Sequence, residues 1–94
     1  MSHAITVTLG PDKDPWTLSV GVQDDEGTTT THEVSLRTET FERLHRQAES
    51  PEAFVTRCFE FLLEREPKES ILRTFDIDVI ATYFPEFPEE IARS

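Results

Sequence analysis

The apolar repeat of this chain changes once, near residue 38, from every second residue to every third or fourth. Up to that point apolar and polar side chains alternate, as on a strand with one buried face. Ile5, Val7 and Leu9 alternate with Thr6 and Thr8; Trp16, Leu18, Val20 and Val22 with Thr17, Ser19 and Gly21; His32, Val34 and Leu36 with Glu33, Ser35 and Arg37. The breaks between these runs, Gly10–Pro15 and Gln23–Gly27, are rich in Gly, Pro and Asp, the residues of turns, and Gly27 is suited to a positive φ. Three strands, at about 4–9, 16–22 and 31–37, are expected to form an antiparallel meander. Its greasy face would be Ile5, Val7, Leu9, Trp16, Leu18, Val20, Val22, Val34 and Leu36, with Thr, Ser, Glu and Arg facing water.

Beyond residue 38 the spacing is helical. Thr38 or Thr40 can cap a helix over about 39–48, with Glu39 and Glu42 near its positive end. Ser50-Pro51 pairs a capping hydroxyl with a proline at the first helical position, a strong start signal. The helix it opens, about 51–66, carries a wide apolar stripe of Phe54, Val55, Cys58, Phe59, Phe61, Leu62 and Leu63, and Pro67 ends it. Short helices are expected at about 68–74, 77–84, with Asp76 or Asp78 as cap, and 88–92. The reading is therefore α+β, a single domain over 1–94. A three-stranded antiparallel meander would have the helical C-terminal half packed on its apolar face.

The charge narrows the partners. Nine Lys and Arg against nineteen Asp and Glu leave −10. The acids are spread along the chain, and no basic cluster exists to hold phosphates, so nucleic acid is not the expected partner. No run of apolar residues is long enough for a membrane span, and the N-terminus has no basic and apolar leader. One cysteine, Cys58, can form neither an internal disulfide nor a cysteine-based zinc site; a cytoplasmic location is the expectation.

The polar residues do not assemble into a catalytic pattern. Asp76 and Asp78 are near one another but read as helix caps, and Glu60 and Glu64 as one solvated helix face. His3, His32 and His45 fall on different elements, with His32 at a strand edge; they read as surface or half-buried histidines, and nothing in their spacing requires them to converge on a metal. Cys58, on the apolar stripe, reads as a small hydrophobe rather than a nucleophile. No enzyme activity, cofactor or metal is expected. The most suggestive group is Tyr83, Phe84, Phe87 and Ile91, on short proline-broken helices. Such aromatics either close the core or anchor an interface. They are the candidate protein-interaction residues, for a protein partner of basic character or for self-association through an edge strand.

The segment Phe59-Glu60-Phe61-Leu62-Leu63-Glu64-Arg65-Glu66-Pro67-Lys68-Glu69-Ser70-Ile71-Leu72-Arg73, followed by Phe75-Asp76, Val79-Ile80 and Tyr83-Phe84-Pro85, resembles a signature of short bacterial proteins of about this length. The resemblance implies a strand region before this helical block, a small bacterial domain and no assigned function. The order from His32 to Glu66, a strand followed by two helices, is also similar to a ribbon-helix-helix repressor or antitoxin. That likeness would send Glu33, Ser35 and Arg37 into a DNA groove. Glu33 and the acidity of the chain oppose it, as do two extra strands upstream. The expected function is a non-enzymatic protein-interaction or regulatory module. The alternative is a DNA-binding antitoxin, and a small hydrolase is third.

Overall fold

The fold comes from a computed structural model, which describes residues 3–93. It is α+β. Strands β1 (Ala4–Leu9), β2 (Trp16–Gln23), β3 (Thr29–Leu36) and β4 (Thr74–Asp76) form one sheet in that order. The β1–β2 and β2–β3 pairs are antiparallel and in continuous register, Val7 opposite Val20 and Val20 opposite His32. The expected meander is thus present as three strands of a mixed sheet. β4 adds to β3 in parallel, Val34 opposite Phe75.

β4 corrects the expected helix over 68–74. Only Lys68–Ser70 make a single 3-10 turn, and the chain then extends into the sheet. The reason is backbone supply: β3 had a free edge, and Glu33 donates its N–H to Arg73 O at 2.7 Å while Ile77 donates to Ser35 O at 2.9 Å. The remaining helices are α1 (Thr38–Leu44), α2 (Pro51–Leu63), α3 (Val79–Tyr83) and α4 (Phe87–Arg93). The first three are shorter than expected. α1 stops at His45, whose backbone is extended, and Ala48 in the following turn has φ 63°. α4 reaches Arg93, one residue beyond the expected end.

Ser50 caps α2 as its sequence suggests, accepting from Ala53 N at 3.1 Å. The other expected caps have different partners. Thr38 donates to Asp14 and Thr40 to Asp78 at 2.7 Å, and the helix begins without a side-chain cap. Asp78 sits at the start of α3 without capping it. Gly27 does adopt φ 87° in the β2–β3 turn.

The core lies on one face of the sheet. Leu18, Val20, Val22, Val34 and Leu36 meet Phe54, Val55, Cys58, Phe59, Phe61 and Leu62 of α2, all buried. Ile71, Ile77, Ile80, Phe87 and Ile91 complete it. His32, expected as a surface or half-buried histidine, is fully buried among them. Its ring packs on Phe59 and its two nitrogens are both engaged. No helix among the described residues is long and apolar enough to cross a membrane.

Candidate functional site

A mainly apolar groove of about 240 Å³ lies where the C-terminal end of α2, the 3-10 turn, β4 and α3 meet. Its lining includes the buried Leu62, Ile71 and Ile80, the half-buried Phe75 and Phe84, and Leu72 and Tyr83, with Glu66 and Ser70 as polar lining. Two of these are large apolar side chains left in water, Leu72 at 47% and Tyr83 at 65% exposure. An exposed leucine alone is ordinary; here two such side chains line one concavity.

The chain that carries Leu72 is tied to the sheet by a buried histidine. Leu72 O can only accept, so the His32 contact to it at 2.7 Å runs from Nδ1–H, and in the neutral ring Nε2 accepts from the Thr30 hydroxyl at 2.8 Å. This buried histidine ties the chain leading into β4 to the middle of the sheet, and leaves the Leu72 side chain on the surface. At the next corner the buried Lys68 ammonium, 3% exposed, donates to Asp24 Oδ2 at 2.9 Å and to Glu69. Those two carboxylates raise the Lys68 pKa, and Lys68 in turn lowers those of Asp24 and Glu69. On the far side Arg65 lies 3.6 Å from the centre of the Phe61 ring and 3.2 Å from Glu86, spanning α2 to the turn before α4.

The four candidate interaction residues divide. Tyr83 and Phe84 line the groove. Phe87 and Ile91 are 1% and 2% exposed and belong to the core, Phe87 edge-on to Phe61 at 5.1 Å. Their spacing of four residues on α4 places both on the face turned to α2. Leu72, Phe75 and Val79 also line the groove, and the sequence marks them only within the bacterial signature, not as interaction residues. The available signal was Leu72 itself, a large apolar residue beside Arg73 and close to Lys68-Glu69.

The other polar residues have structural partners. Asp76 accepts from Ser35 Oγ at 2.8 Å and from Asp78 N at 2.9 Å, and Arg37 lies 3.9 Å from both carboxylates. Glu49 and Arg57 form a two-pronged pair at 2.7 and 2.8 Å, and Arg57 continues to Ile91 O. The guanidinium holds the Glu49 carboxyl below its ordinary value. Cys58 is fully buried, and loss of hydration pushes its thiol pKa up. His45 donates toward Phe41 O within its own helix, far from any role with His32. Among the described residues no three His, Cys, Asp or Glu side chains are grouped to hold a metal ion.

β3 carries Glu33, Ser35 and Arg37, the residues a ribbon-helix-helix protein would present. Over Glu33–Ser35 it lies between β2 and β4. Ser35 is engaged with Asp76, and Glu33 accepts from Ser19 at 2.6 Å. A second chain has no free edge to pair with there, so the two-chain ribbon of that family does not fit this sheet. Compared with known protein families, curated proteins and solved structures, the chain matches none.

Proposed function

We propose that the chain is a protein-interaction module whose groove receives a large apolar side chain from a partner segment that also carries Lys or Arg. The observation that carries this reading is that two large apolar side chains left in water, Leu72 and Tyr83, line one mainly apolar groove. Burying such side chains together with one from the partner contributes about 25 cal/mol per Å² of apolar area. Charge supplies the second element: Glu66 on the lining and a net charge of −10 favour a basic segment and repel an acidic one. The His32 and Lys68 ties pre-order the walls, which lowers the entropic cost of docking.

The test is selection of a random twelve-residue peptide library on the purified chain. Enriched peptides should combine one or two large apolar residues with flanking Lys or Arg. Their binding should fall at least tenfold in Leu72→Asp and Tyr83→Asp, with the circular dichroism spectrum unchanged. Enrichment without that pattern, or binding indifferent to both substitutions, overturns the reading.

A further inference from the structure

The other edge of the sheet has an independent feature. The first eleven residues contain no Asp, Glu, Lys or Arg, the longest uncharged run of the chain. β1 lies within it and is the terminal strand of the antiparallel part of the sheet, with α2 packed against it and its outer backbone side unpaired. Native edge strands are guarded against pairing by charge, proline or extreme shortness. Ala4–Leu9 has six residues, none charged and none proline.

The hydrogen-bond alternation shows which groups are free. Gly10 N bonds Thr17 O at 2.7 Å, so the pairs of Thr8, Thr6 and Ala4 with β2 are the hydrogen-bonded ones. The N–H and C=O groups of Ile5, Val7 and Leu9 then point away from β2, and no other element of the described chain takes them. The same three side chains face the core side but cover it incompletely. Ile5 and Val7 are only half-buried, and Leu9 is 36% exposed. By contrast Leu18, Val20 and Val22, beside them on β2, are sealed.

We infer that β1 pairs antiparallel with β1 of a second copy, about a two-fold axis through Val7. In that register Val7 faces Val7, Ile5 faces Leu9, and the outward backbone groups of all three find partners. Leu9 of each copy lies against Ile5 of the other, and this closes the thin margin of the core. On the opposite face Thr6 lies beside Thr8 of the second copy. The register is self-complementary, as a two-fold interface requires, and Pro11, which has no N–H, ends the ladder opposite His3. Charge selects this edge over the rest of the surface. Two chains of −10 repel, and they approach most easily where neither carries a charge.

Sedimentation velocity of the full chain, from about 1 to 500 μM, tests it. The chain should pass from monomer to dimer within that range. Raising salt from about 0.05 to 0.5 M should tighten the dimer, because screening weakens the repulsion between the two copies. Thr6→Lys with Thr8→Lys sets like charges across the proposed pair on an exposed face and should weaken dimerisation at least tenfold. Thr6→Lys with Thr8→Glu sets opposite charges there and should restore it. Circular dichroism establishes that both variants are folded. A wild-type chain that stays monomeric throughout overturns the inference, as does a dimer that survives the double lysine change. Loss of the dimer in both double variants overturns the register.

Discussion

The two edges of the sheet differ in length, charge and cover. β4 is three residues long and includes Asp76, and the apolar groove lies beside it. β1 is six residues long, carries no charge, and has Ala4, Thr6, Thr8 and Leu9 exposed. A short acidic edge resists strand addition, so its neighbourhood offers side-chain pockets instead of backbone. A long uncharged edge offers backbone. As proposed above, the same sheet would present two kinds of recognition, one suited to a side chain of a different molecule and one suited to a copy of itself.

The largest effect should come from the ring that holds the β4 side in place. Phe59 is fully buried between His32 at 5.3 Å and Phe75 of β4 at 6.0 Å, centroid to centroid. Phe59→Ala removes the packing of both and should cost about 3–5 kcal/mol in urea unfolding. Hydrogen exchange should then rise first in β4. If β1 opens first, the two edges do not have separate supports.

A second substitution acts on neither edge. Glu49 and Arg57, 8% and 11% exposed as side chains, tie the α1–α2 connection to the end of α4 through Ile91 O. Glu49→Gln weakens a charged hydrogen-bonded pair and should cost about 1.5–3 kcal/mol at neutral pH. Peptide binding and dimerisation should be unchanged at temperatures where the variant is folded. The pH dependence has a fixed sign. The folded Glu49 carboxyl titrates below its ordinary 4.5, so its contribution is complete above that value and is lost as pH falls from there through the folded pKa. The acid limb of the wild-type stability curve should therefore be steeper than that of Glu49→Gln; parallel limbs would show that this pair is not responsible.

These two sites also show what the sequence could convey. The meander was legible because alternation over six to eight residues is a local signal, and α2 because Ser50-Pro51 and the apolar stripe agree. β4 was not legible. Thr74-Phe75-Asp76 has one apolar residue, no period, and owes its extended form to a partner some 41 residues earlier in the chain, Ser35 for Asp76. His32 was misplaced for the same cause: its burial depends on Leu72 O, 40 residues away, and on a hydroxyl two residues before it. The candidate site was half legible. Tyr83 and Phe84 stand out as aromatics, but only the folding of β4 against β3 brings Leu72 and Phe75 into the same groove, and only the packing of α4 on α2 buries Phe87 and Ile91.

His32 gives the next prediction. His32→Ala leaves Leu72 O without its donor and opens space beside Phe59, and should cost about 1–3 kcal/mol. Peptide affinity at the groove should fall with it, because the segment carrying Leu72 is no longer held. Dimer strength should not change. If affinity is retained while stability drops, the histidine supports the core alone and the walls of the groove are fixed by something else.

The smallest effect on stability should accompany the clearest effect on binding. Leu72 is 47% exposed, and its side chain makes no ring contact or hydrogen bond that holds the fold. Leu72→Asp should alter urea stability by no more than about 0.5 kcal/mol, as for other surface positions. Its dimerisation should match wild type, since β1 lies at the opposite end of the strand order. Binding of apolar, basic peptides should nevertheless weaken at least tenfold, through loss of apolar area at the mouth of the groove. A variant that loses peptide binding and dimerisation together would show that one surface serves both, and the contrast between the two edges would fail.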